Sequence, residues 1–148
     1  MQRVFRNMSQ PSGTSSRGIV VFERQPFWGP ELKRHVGDHD ILVRECRSIH
    51  DMAPLVSEFP VAVTVVVLDA APADFLSWLT RQVVSTWPSE IVVIASKGLS
   101  ELEWPIREAG VTEFVDDESP GVSVARICLR ILRKTSSGLG RVAAASGQ

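Results

Sequence analysis

The chain has 148 residues, of which 44% are hydrophobic and 22% charged, with a formal net charge of -1. That is enough for one domain with a proper core, and the composition is ordinary for a globular protein. So even a charge balance gives no reason to expect nucleic acid or an acidic membrane as a partner.

In chain order, residues 1–17 are polar and end in Pro11-Ser12-Gly13-Thr14-Ser15-Ser16, a linker composition that predicts disorder up to Gly18. No apolar block follows the basic start, and no run is long enough to span a membrane, so neither a signal peptide nor a membrane span is expected and the protein is placed in the cytoplasm. Ile19-Val20-Val21-Phe22 has the signature of a buried strand closing on Glu23 and Arg24. Gly29-Pro30 delays the first helix, with Pro30 in its first turn. Ile41–Cys46 is a strand that turns polar, as an edge strand would. Ser48-Ile49-His50-Asp51 then matches a capping pattern ahead of Met52, Leu55, Val56 and Phe59, which share one helix face.

Val61–Leu68 is apolar on both alternating faces and rich in β-branched residues. Such a strand is buried on both sides, in the middle of a parallel sheet covered by helices. It closes on Asp69, at the end where open α/β sheets place their functional crevice. Pro72 or Asp74 opens a helix with a stripe of Phe75, Leu76, Leu79 and Val83, and Trp78 falls off that stripe. Ile91–Ser96 is a second doubly apolar strand. Ser100–Ala109 reads as a helix that Pro105 must kink or begin, and Gly110 stops it. Val111–Val115 is a fifth strand, followed by the acidic loop Asp116-Asp117-Glu118. Ser119-Pro120 starts a last helix with Val124, Ile127, Cys128, Ile131 and Leu132 inside and Arg126, Arg130, Arg133 and Lys134 outside. From Thr135 the Ser/Gly/Ala-rich tail, residues 135–148, predicts disorder. Five strands alternating with five helices predict an α/β fold: a flavodoxin-like (βα)5 doubly wound sandwich with a five-stranded parallel sheet.

Few side chains point to chemistry. Cys46 and Cys128 lack metal-type spacing and read as core thiols in a reducing compartment. His35, His39 and His50 share no helix face and read as solvated. No phosphate-binding glycine loop and no nucleophile elbow is present. Trp28, Trp78, Trp87 and Trp104 are either packing residues or anchors of a partner surface. The outer row of Arg126, Arg130, Arg133 and Lys134 reads as a solvated helix face.

Over residues 18–134 the chain resembles a receiver domain of the response-regulator family. Three passages carry the resemblance. They are Val66-Val67-Leu68-Asp69 ending the third strand, Ile94-Ala95-Ser96 ending the fourth, and Glu108-Ala109-Gly110-Val111-Thr112-Glu113-Phe114-Val115 leading into the fifth. The resemblance implies a two-component signalling fold in which Asp69 matches the phospho-acceptor and Ser96 the switch hydroxyl. The family's acidic pair falls on Glu23 and Arg24, and its lysine on Asp117. Magnesium needs an oxygen cage with several carboxylates, and Arg24 puts a cation there. Losing the lysine removes a charge-assisted contact of about 1.5–3 kcal/mol. The chain is therefore expected to be no enzyme, to hold no metal or cofactor, and to pair Arg24 with Asp69. It is expected to act as a stand-alone pseudo-receiver on a protein partner in signalling or transcriptional control, reached through the faces around the fourth strand, fourth helix and fifth strand, where the resemblance implies that partners bind, with a homodimer open. No separate output domain is expected in the tails, so any output is expected to act through another protein. The alternatives are a phospho-acceptor using Asp69 and magnesium rebuilt on Glu23 and Asp116-Asp117, and a flavodoxin-like binder of a small ligand.

Overall fold

The computed structural model describes residues 16–68, 72–81 and 87–146, with side chains described as far as Ser136 except that of Asp38. The strands are β1 (Arg17–Phe22), β2 (Leu42–Cys46), β3 (Val61–Leu68), β4 (Glu90–Ala95) and β5 (Glu113–Asp116). They alternate with α1 (Trp28–Val36), α2 (Met52–Val56), α3 (Pro72–Arg81), α4 (Glu103–Glu108) and α5 (Gly121–Ser146). All pairs are parallel in the order β2-β1-β3-β4-β5. The strand order therefore reverses beside β1, which places a switch point between β1 and β3. β2 is an edge, as its polar turn predicts.

The double-sided hydrophobicity of β3 has a direct structural use. Val61, Val63 and Val65 face a core shared with Leu32 and Val36 of α1 and Val124, Cys128 and Leu132 of α5. Ala62, Val66 and Leu68 face the opposite core, with Met52 and Val56 of α2, Phe75 and Leu79 of α3 and Ile106 of α4. Each face is covered by helices, so the period-2 alternation yields two apolar cores. Both cysteines are buried there, and burial pushes the Cys46 thiol up to about 11 and the Cys128 thiol up to about 12.

Four expectations change. Trp78 is buried: it stacks on Phe75 at 5.7 Å between ring centroids and meets Trp87 edge-on at 4.9 Å. The core between α3 and the sheet is wide enough to take a ring flanking the main stripe, which a narrow helical stripe does not register. The helix expected over Ser100–Ala109 is shorter: a 3-10 segment, Lys97–Leu102, precedes α4, and Pro105 marks the first turn of α4, one of the two places open to it. The last helix begins at Gly121, with the Pro120 carbonyl accepting from Val124 N at 3.2 Å, so the cap is one residue later than Ser119. The same helix runs to Ser146, past Thr135, whose Oγ1 donates back to the Ile131 carbonyl at 2.9 Å; Ala143–Ala145 are strong helix formers. Val83 lies outside the described residues.

Candidate functional site

The carboxyl ends of the strands are brought level by the register: Phe22 pairs with Cys46 and Val66, Leu68 with Ala95, and Ala95 with Asp116. Glu23, Ser96 and Asp117 each follow the end of a strand on that rim. Asp69 lies outside the described residues, and with it the expected Arg24–Asp69 pair.

Glu23 has a role that local sequence patterns do not reveal. Its side chain is only 2% exposed. Oε1 accepts from Phe27 N at 2.9 Å and Gly29 N at 3.0 Å, while Oε2 accepts from Trp28 N at 2.8 Å. These are the free amides that open α1, and the next residue, Pro30, has no N–H to satisfy. The Phe27 side chain supplies no cap. Glu23 therefore satisfies every donor of the first turn, and its charge lies against the positive end of the helix dipole. Gly29 also lets the Glu45 side chain lie against the start of α1, since a Cβ there would run into it.

The neighbouring cations are held by acids. Arg24 has a guanidinium nitrogen 3.9 Å from Asp74 Oδ2 in the first turn of α3. Arg47, which the sequence reading passed over, donates to the Glu23 carbonyl at 3.4 Å and to Glu45 Oε1 at 3.1 Å. Lys33 donates to Glu45 Oε2 at 2.9 Å, and this bond holds the Glu45 carboxyl below the usual range, against partial burial and with help from Arg47.

On the other side of the rim, β5 closes with Asp117 N donating to the Ala95 carbonyl at 2.9 Å. The Asp117 carboxyl is pushed above the usual range, first by desolvation and then by Asp116 and Glu118, with Lys97 pulling the other way. Lys97 Nζ sits 3.0 Å from Glu118 Oε2. This lysine directly follows Ser96, so a cation stands beside the acidic loop although position 117 lacks one; its place in the chain was the available signal. Among the described residues, no three His, Cys, Asp or Glu side chains gather as a metal site. His39 and His50 are exposed, and His35 lies half-buried 3.4 Å from Glu31.

No family model matches the chain, and no curated protein does. Solved structures do match. Full-length FixJ from B. japonicum superposes with a TM-score of 0.69 at 13% identity, over 90% of this chain and 66% of FixJ. The signal receiver domain of a Luxo repressor protein from Vibrio parahaemolyticus gives 0.64 at 12%, over 82% of this chain and 93% of that domain. HP1043, an orphan response regulator of H. pylori, gives 0.62 at 16%, over 80% and 98%. The chain has the receiver fold. At these identities the likeness is one of fold, so the chemistry rests on the side chains of the rim. No helix among the described residues is long and apolar enough to cross a membrane.

Proposed function

We propose that this chain is a receiver-fold signalling domain that works by docking a protein partner, without phosphoryl transfer. The observation that carries the reading is the Glu23 carboxylate. A receiver needs the acid after β1 to help hold magnesium, whereas here three backbone amides occupy it. The next position is Arg24, a fixed cation, and Asp117 stands where a phosphoryl group would meet a lysine. A hard divalent ion fits these residues badly. Asp69 then serves as a strand-end acid rather than a phospho-acceptor.

The docking face in this reading is α4, β5 and α5. Ion pairs tie the three elements together: Arg107 meets Glu103 at 2.8 Å and Glu113 at 3.9 Å, and Arg130 meets Glu113 at 3.6 Å. On that frame Trp104 is 69% exposed. Tryptophan held on a rigid element is a strong anchor for a partner. Capture experiments with the whole chain test this. Trp104→Ala is expected to release a bound partner at least tenfold while leaving the melting temperature unchanged, and Lys33→Ala is expected to leave capture intact. Equal capture by wild type and Trp104→Ala refutes the assigned face.

A further inference from the structure

A pocket of about 700 Å³ opens at the amino ends of β3 and β4, the end of the sheet opposite the rim. Its lining is mostly apolar, with Pro60, Pro88 and Ala109 exposed around the half-buried Trp87. Trp87 is held in place, its indole Nε1 donating to Thr64 Oγ1 at 3.2 Å and its ring edge-on to Trp78. Glu90 is the one charged side chain among the described lining residues, and it is exposed. Its Oε2 accepts from Thr112 Oγ1, which uses one of the several lone pairs of a carboxylate. The chain enters β1 at this same end: the Ser16 carbonyl accepts from Val61 N at 3.1 Å, and Val61 lines the pocket. The other terminus is carried past it, since α5 lines the pocket at Thr135 and continues unbroken to Ser146.

We infer that residues 3–8 of this same chain, Arg3-Val4-Phe5-Arg6-Asn7-Met8, dock in this pocket. Val4, Phe5 and Met8 are close neighbours with Arg3 and Arg6 among them, whereas Ser9–Ser15 carry no charged or large apolar side chain. Phe5 against Trp87 and the two prolines makes an aromatic anchor. The arginines complement Glu90, the charge at the pocket. Reach does not limit the contact: Ser9–Ser15 span up to about 25 Å when extended, against about 10 Å for the two strand spacings from β1 to β4. A tethered segment meets its site at an effective concentration of about millimolar, so contacts too weak to recruit a separate chain suffice. Trp104 does not line this pocket, so this inference and the docking face can each fail without the other.

Paramagnetic relaxation measured by NMR on the full chain tests the inference. Cys46 and Cys128 are buried, so a nitroxide attached through Gln2→Cys marks the amino-terminal segment alone. Leu42 lies on the strand next to β1 and Ile91 two strands away, near the same end of the sheet. An undocked segment, tethered at Ser16, broadens the Leu42 N–H at least as much as the Ile91 N–H. Docking reverses that order: the Ile91 N–H and the Trp87 indole N–H are expected to broaden several-fold more than the Leu42 N–H. Phe5→Ala is expected to bring both pocket signals back to the level of Leu42 or below. Broadening at Ile91 no greater than at Leu42, or pocket broadening undiminished in Phe5→Ala, overturns the inference. So does the same broadening in isotope-labelled chains mixed with separate nitroxide-bearing ones, which identifies a second copy as the source of the occupant.

Discussion

Replacing Glu23 by Gln separates a helix cap from a metal-site acid by the sign of its effect. In the folded chain Oε1 receives two amides and Oε2 one. The amide oxygen of Gln can keep the pair from Phe27 and Gly29, but its NH2 then faces Trp28 N–H, donor against donor, in a buried place. One hydrogen bond to a charged group is lost, at about 1.5–3 kcal/mol, and the favourable charge at the helix start goes with it, at about 0.3–1 kcal/mol. The sum is about 2–4 kcal/mol, which lowers the melting temperature by roughly 6–16 °C for a domain of this size. Urea unfolding followed by circular dichroism, in magnesium-free buffer, reads the change as a lower midpoint with an unchanged slope. An acid held in an empty metal pocket beside other carboxylates behaves oppositely: neutralising it relieves repulsion and stabilises the apo protein. A Glu23→Gln variant as stable as wild type, or more stable, would refute the cap.

Two further substitutions probe the rest of the fold. Thr64 is buried in the middle of β3, where its hydroxyl meets Ser89 Oγ at 2.6 Å and accepts from Trp87 Nε1 at 3.2 Å. Thr64→Val leaves both partners wanting and is expected to cost about 1–3 kcal/mol, measured by the same unfolding curves; a change under about 0.5 kcal/mol contradicts the network. At Asp117 the folded carboxyl binds its proton more readily than the unfolded one, so its charge destabilises the fold at neutral pH, and this burden lifts as the pH falls through the raised value. Asp117→Asn is therefore expected to raise the melting temperature slightly at pH 7 and not at a pH below the carboxylate range; equal shifts at both pH values contradict it.

How much of this was legible beforehand divides by range along the chain. The run from Val61 to Leu68 announced a central strand because each of its alternate faces is apolar, and both faces prove to be core. Gly110, with φ of 109°, ended its helix as its lack of a side chain allows. The cap on α1 was invisible because Glu23 reaches four to six residues ahead, beyond the spacing of local capping patterns. Trp78 was misplaced because a helical stripe says nothing about how wide the facing surface is. Arg47 was missed because its partners, Glu23 and Glu45, are set by the pairing of β1 with β2, a contact that no local pattern encodes.

Intact-mass measurement of the full chain after incubation with magnesium and acetyl phosphate tests the central claim most directly. With the acid after β1 consumed by a helix, the mass is expected to stay that of the unmodified chain. A gain of one phosphate that disappears in Asp69→Ala would contradict that claim and make the chain a working phospho-acceptor.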